Sequence, residues 1–251
     1  MLESVASNSR PFVLLHGGRH GGWCWGPVAS RLRRRGFDVL TPTLTGLGDR
    51  SHLLDPSIGL DTHVQDLVAT FEYEDLTDSI LVAHSYGGVV ASAAMEKIAD
   101  RVRFMVYVDA LIPRAGESVF DLVGPQRAAA IEENARNHGH GWTVPVSDAS
   151  YYGITDPDII AWVNSKLTPQ PIKTYRDPVG STERAWSHPG MFVECLPTRA
   201  EPFVLDRARD RSVRDEKFWY RTLEGTHEAP LTNPDGTLEI LLEAARIADS
   251  L

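Results

Sequence analysis

A chain of 251 residues suits one α/β domain with an extensive buried core and gives no reason to expect a second. Its 34 acidic and 25 basic side chains leave a net charge of -9, which disfavours nucleic acid or an anionic membrane as a partner and serves solubility. Two cysteines, Cys24 and Cys195, are too few for a disulfide framework and stand in no metal-type spacing, so a reducing compartment and no metal are expected.

The first ten residues lack a basic start followed by an apolar stretch, and no later run reaches the length needed to span a bilayer. A cytoplasmic protein is the expectation. Phe12 to Leu15 reads as a first strand that runs into His16-Gly17-Gly18-Arg19-His20-Gly21-Gly22-Trp23-Cys24-Trp25, where glycines let the backbone approach another group closely or merely make the loop flexible. Val28 to Arg35 reads as a helix whose late arginines suit its dipole and form a solvated face. Phe37 to Thr41 is the next strand, followed by a turn-rich loop from Pro42 to Arg50. The spacing of Val64, Leu67, Val68 and Phe71 predicts a helix over Asp61 to Tyr73, with His63 in a structural role.

Ile80 to Ala83 is a short apolar strand, and an Ala-rich helical run begins at Val89. Only His84-Ser85-Tyr86-Gly87-Gly88 lies between them, so the main chain reverses tightly and presents Ser85 at the tip. Val102 to Asp109 is a strongly apolar strand ending in a carboxylate. Alternating strands and helices predict a doubly wound, mostly parallel sheet. From 112 to 189 the rhythm breaks into short helical pieces, Ser118 to Asn134 and Asp156 to Leu167, with many prolines and aromatics and no strand pattern before Met191. This reads as a mainly helical cap inserted into a core of 1–111 and 190–251, its aromatics divided between its own packing and an apolar pocket. Met191 to Leu196 resumes the sheet, Phe203 to Arg214 is a charged helix, Phe218 to Leu223 a last strand, and Asp235 to Leu251 a closing amphipathic helix.

The run Ala83-His84-Ser85-Tyr86-Gly87 is the small-x-Ser-x-Gly pattern of the α/β-hydrolase nucleophile elbow, with Ala83 where the commonest form has glycine. A serine nucleophile needs a histidine base, a carboxylate to orient it and an oxyanion hole. His227 lies in Glu224-Gly225-Thr226-His227-Glu228, between the last strand and the last helix, where an open α/β sheet places ligand and catalytic residues. It is the candidate base. Gly18, in the loop after the first strand, and Tyr86, directly after the serine, are the candidate oxyanion donors. For the acid, the turn after Leu196 offers Glu201 alone, whereas Asp109 ends a buried strand and there requires a polar partner. Asp109 is preferred, with Glu201 as the alternative.

Residues 12 to 111, with His-Gly-Gly-Arg-His-Gly-Gly-Trp-Cys-Trp, Thr-Pro-Thr-Leu-Thr-Gly-Leu-Gly-Asp-Arg, Leu-Asp-Thr-His-Val-Gln-Asp and Ala-His-Ser-Tyr-Gly-Gly, resemble the bacterial branch of the α/β-hydrolase group that includes plant methyl-ester esterases and hydroxynitrile lyases. The resemblance extends to the tail around His227. It implies Ser85 as nucleophile, His227 as base, and Gly18 and Tyr86 as oxyanion donors. The lyases carry a lysine after the catalytic histidine and a threonine in the oxyanion loop, whereas this chain has Glu228 and Gly18. Cyanohydrin cleavage needs a cation near the leaving cyanide, so lyase activity is disfavoured. The Asp that the plant esterases have after the penultimate strand is also missing. The combined expectation is a serine hydrolase acting, without a cofactor, on a carboxylic ester or related acyl bond of a small apolar or aromatic molecule. Amide or carbamate hydrolysis, carbon–carbon cleavage and non-catalytic ligand binding are the rival readings.

Overall fold

A computed structural model describes residues 10–198 and 200–251; the N-terminal segment 1–9 and Arg199, in the turn considered for the acid, lie outside the described residues. Six strands form one parallel sheet: β1 (Phe12–Leu15), β2 (Val39–Leu40), β3 (Ser79–His84), β4 (Val102–Val108), and, after a long excursion, β7 (Gly190–Leu196) and β8 (Phe218–Glu224). Their spatial order is β2-β1-β3-β4-β7-β8. This is the α/β-hydrolase fold class expected from the sequence. The central strands read as unbroken apolar runs because helices cover both faces. Phe12, Leu14, Val82, Val106 and Val193 pack on α1 (Gly26–Arg34) and the closing helix. Val13, Leu15, Leu81, Met105 and Phe192 pack on α2 (Leu60–Tyr73) and α3 (Gly87–Ile98).

Between β4 and β7 the chain forms α4 (Val119–Val123), α5 (Pro125–His138), β5 (Thr143–Val144), α6 (Pro157–Asn164), β6 (Gln170–Pro171), α7 (Lys173–Arg176) and α8 (Glu183–Ser187). After β7 come α9 (Pro202–Arg214), then β8, α10 (Ala229–Thr232) and α11 (Pro234–Ser250). Several expectations are corrected here. The helix expected over Ser118 to Asn134 is two helices, because Gly124 takes a φ of +78° and Pro125 starts a new one. The stretch before Met191 does contain strands, since β5 and β6 pair antiparallel through Val144 and Gln170. The strand expected over Phe37 to Thr41 shrinks to Val39–Leu40, an edge strand that matches only Phe12 and Val13 of β1.

The register of the central pair positions the site. Ala83 pairs with Tyr107 and His84 with Val108, so Ser85 and Asp109 leave the carboxyl ends of β3 and β4 side by side. Both turn sharply, with φ of +53° and +42°, values that L-residues adopt only when their surroundings hold them there. Ser85 N donates to Val108 O (3.3 Å), and Ser85 O accepts from Gly88 N and Leu111 N (3.0 Å each). Close approach makes this possible: a Cβ on Gly87 would lie 2.7 Å from His16 O, and one on Gly88 would lie 2.4 Å from Leu111 O. Gly88→Ala is therefore expected to cost about 1–3 kcal/mol of stability, read as a lower urea midpoint at unchanged m-value. An unchanged midpoint would show that the elbow relaxes freely.

Candidate active site

Ser85, Asp109 and His227 arrive from three strand ends and meet in one chain of hydrogen bonds. Asp109 is 3 % exposed, and its backbone N donates to Val193 O (2.8 Å). Cys195 N donates to its Oδ1 (3.3 Å), while its Oδ2 lies 2.6 Å from His227 Nδ1. A carboxylate only accepts, so Nδ1 carries the proton, and Nε2 presents a lone pair to Ser85 Oγ at 3.0 Å. The loop after β8 is tied down twice: Gly225 N and Thr226 N donate to Leu196 O, and His84 Nε2 donates to the carbonyl of His227 (2.8 Å). The structure does not bring Glu201 into this chain. Glu201 is the residue preceding α9, and its carboxyl group sits beside Gly124, at the junction of α4 and α5.

The β1–α1 loop passes over the elbow. A Cβ on Gly17 would stand 3.0 Å from Ser85 Cβ, and one on Gly18 would lie 2.9 Å from both Gln170 Oε1 and Tyr175 OH and 3.6 Å from Tyr86 Cβ. Gly18 and Tyr86 are thus adjacent above Ser85, and no acceptor among the described residues takes either backbone N–H. Tyr86 also sits at the N-terminus of α3, where the partial positive charge of the helix favours a developing anion.

Four histidines omitted from the predicted site surround it, His20 and His84 on the cavity wall and His16 and His63 behind it. His16 donates through Nδ1 to Gly17 O (2.7 Å) and accepts Leu44 N at Nε2 (3.1 Å). His63, expected to be structural, bridges Thr45 O (2.9 Å) and the Tyr86 hydroxyl (2.8 Å). Burial pushes His16 and His84 down to about 3 and His20 and His63 down to about 4, so all four rings are neutral at ordinary pH. Nothing in their local sequence marks them, because burial is a property of the assembled fold.

The cavity above Ser85 has a volume of about 240 Å³. Its walls are the β1–α1 loop, the His227 loop and the segment between β4 and β7, which supplies Val119, Ile131, Val144, Tyr151, Tyr152 and Tyr175. Phe120 and Trp186, from the same segment, pack on the core instead. His84, His227 and Glu228 bring potential metal-ligand atoms within 4.8 Å of one another. Both His227 nitrogens are already engaged, by Asp109 and Ser85, so a metal there would compete with the hydrogen-bond chain.

With this geometry in hand, comparison with known proteins identifies the class. Residues 12–240 match the model of the alpha/beta hydrolase family, and the chain belongs to that family, a hydrolase by class. It is similar to the carbendazim hydrolyzing esterase of Nocardioides sp., with 38% identity over 181 residues, which cover 67% of this chain and 72% of the relative. It is also similar to putative methylesterase 13, chloroplastic, of Arabidopsis thaliana, with 27% identity over 256 residues, 96% of this chain. The chain spans 57% of the length of that relative. Among solved structures, an extracellular alpha/beta-hydrolase from a Paenibacillus species, described as sharing homology with tobacco salicylic acid binding protein 2, superposes with a TM-score of 0.79. That likeness, at 21% identity over 94% of this chain and 99% of the other, speaks to the fold. No helix among the described residues is long and apolar enough to cross a membrane.

The neutral histidines generate a pH prediction. Their folded pKa values lie below the unfolded value of about 6.5, so the unfolded chain binds more protons, and their contribution is full above pH ~6.5 and lost as pH falls through about 4 for His20 and His63 and about 3 for His16 and His84. The melting temperature should decline between pH ~6.5 and ~5, before most carboxylates protonate. A flat profile across that window would contradict the burial of these rings.

Proposed function

We propose that this chain is a serine hydrolase that cleaves a carboxylic ester, or a related acyl bond, of a small apolar or aromatic molecule. The observation that carries the reading is the continuous path from Ser85 Oγ through His227 to Asp109, at 3.0 and 2.6 Å. Ser85 attacks the substrate carbonyl as His227 Nε2 takes its proton, and Asp109 holds the ring in the Nδ1–H form and stabilises the imidazolium. The N–H groups of Gly18 and Tyr86 receive the oxyanion. The imidazolium then returns its proton to the leaving alcohol, and water, deprotonated in turn by His227, releases the acid and restores Ser85. No step requires a cofactor.

Residues 112–189 act as the cap in this reading, closing an aromatic-lined cavity sized for a small molecule. The names of the relatives, esterases in both the bacterial and the plant case, support ester cleavage. Carbon–carbon lyase chemistry is disfavoured because Glu228 rather than a lysine follows His227, so that position supplies no cation for a leaving cyanide. A cytoplasmic place of action accords with Cys24 and Cys195, both buried free thiols.

Two measurements test this reading. Intact-mass analysis after fluorophosphonate treatment should show one adduct on the wild type and none on Ser85→Ala, and absence of an adduct on either would sink the mechanism. On any ester that turns over, Ser85→Ala should lose on the order of 10⁴–10⁶ in kcat. Asp109→Asn should lose about 10³–10⁴, whereas Glu201→Gln should stay within a few-fold of wild type. The reverse ranking would move the acid to Glu201.

A further inference from the structure

The Gly18 N–H can meet an oxyanion only while the two peptide planes that join at Gly18 are held, and glycine itself restricts neither. Apart from this N–H, the backbone groups from Gly17 O to Arg19 O are all engaged. Gly17 O accepts from His16 Nδ1 (2.7 Å) and Gly18 O from His20 Nδ1 (2.8 Å), while Arg19 N donates to Gln170 Oε1 (2.8 Å) and Arg19 O accepts from Thr168 N (3.0 Å). The first two bonds are local to the loop, and the last two come from the excursion between β4 and β7. Arg19 needs them, because its φ of +64° is a left-handed conformation that costs an arginine energy unless its surroundings fix it there. Its guanidinium is fastened to the same excursion, donating to Pro145 O (3.3 Å) and Ser147 Oγ (3.0 Å).

Gln170 is held in place independently of the loop. It stands in β6, is wholly buried, and pairs through its backbone with Val144 of β5. Its amide has one orientation: the single proton of the Thr174 hydroxyl goes to Pro171 O (2.7 Å), so toward Gln170 that oxygen only accepts, from Nε2 at 2.8 Å, and Oε1 faces Arg19 N. A Cβ on Gly18 would lie 2.9 Å from the same Oε1. In a trans peptide the C=O and N–H point opposite ways, so Gln170 on Arg19 N and His20 on Gly18 O clamp one plane from both sides. Releasing Arg19 N frees that plane to turn toward a relaxed φ at Arg19, and Gly18, which adjoins it, turns with it. We propose that Gln170 is a positioning residue for the reaction: it holds Arg19 in the left-handed conformation and so keeps the Gly18 N–H aimed at the oxyanion, which makes the excursion part of the frame of the oxyanion hole. The inference rests on the serine-hydrolase reading and extends it to a residue that touches no reacting atom. A whole oxyanion donor is worth about 10²–10³ in rate, so loosening one of two should cost about tenfold to 10²-fold.

The test uses Gln170→Met, which keeps the length of the side chain and removes the acceptor, with p-nitrophenyl acetate as substrate and two ketones as inhibitors. Phenethyl trifluoromethyl ketone forms a tetrahedral adduct with an activated serine and so reads the oxyanion hole, whereas phenethyl methyl ketone reads the cavity alone. The variant should lose about tenfold to 10²-fold both in kcat/KM and in affinity for the trifluoromethyl ketone, with affinity for the methyl ketone unchanged. Gln170→Asn, which stays polar but draws the amide back from Arg19 N, should shift the same two quantities in the same direction, and it decides the matter if Gln170→Met does not fold. Equal weakening of both ketones would overturn the proposal, since that assigns Gln170 to the shape of the cavity. Wild-type rates and affinities in the variants would overturn it as well. Fluorophosphonate labelling of wild-type Ser85 separates the two levels of inference. With labelling, either of those outcomes removes the role of Gln170 alone; without labelling, the hydrolase reading falls and that role falls with it.

Discussion

The parallel pairing of β3 with β4 carries the site, because it places two residues that no hydrogen bond joins directly, Ser85 and Asp109, at neighbouring points on one sheet edge. Each leaves its strand with a positive φ, so each side chain is thrown up from the sheet rather than along the next element. The strain in these two turns is held by backbone bonds that cross between them, Leu111 N to Ser85 O and Ser85 N to Val108 O. His227 then needs only to be lowered onto the pair from the end of β8, and the β7–β8 register, Leu196 opposite Glu224, brings its loop to that point.

This geometry gives a physical account of why the carboxylate at the end of β4 reaches the histidine while Glu201, before α9, does not. Asp109 is fixed by a backbone bond of its own to Val193 and by Cys195 N on its Oδ1, so the strand between the two candidate positions acts as its scaffold. A buried, doubly anchored carboxylate loses little conformational freedom when it binds an imidazole. Glu201, on a longer side chain at a helix start, would have to be ordered for the task.

The sheet, the elbow and the His227 loop were legible in the sequence because each is written locally, in an apolar run, a glycine-flanked serine and a turn after a strand. Asp109 was legible for a different reason: an acid at the end of a run as apolar as Phe104 to Val108 asks for a partner. Other features were hidden. The division of the helix after Ser118 depends on one glycine conformation, and β5 and β6 are two-residue strands too short to show a period. His16 and His20 come from the β1–α1 loop, His63 from α2 and His84 from the end of β3, and their neutrality follows from packing alone. Glu228 was visible as a departure from the lyase pattern, but its burial beside His20 follows only from the assembled fold.

The cavity is built from two kinds of part. Ser85, Asp109, His227, Gly18 and Tyr86 stand on strand ends or the tight loops that follow them, and His63 braces Tyr86 to the loop at Thr45. Tyr151, Val144 and Ile131 come from the excursion between β4 and β7, whose short helices and two-residue strands contribute no strand to the main sheet. The two kinds of part meet at the β1–α1 loop, where Thr168 N donates to Arg19 O and Arg19 N donates to Gln170 Oε1. Resurfacing the excursion away from Thr168 and Gln170 would reshape the cavity while leaving the loop that carries Gly18 in place, which marks Ile131, Val144 and Tyr151 as the positions open to redesign.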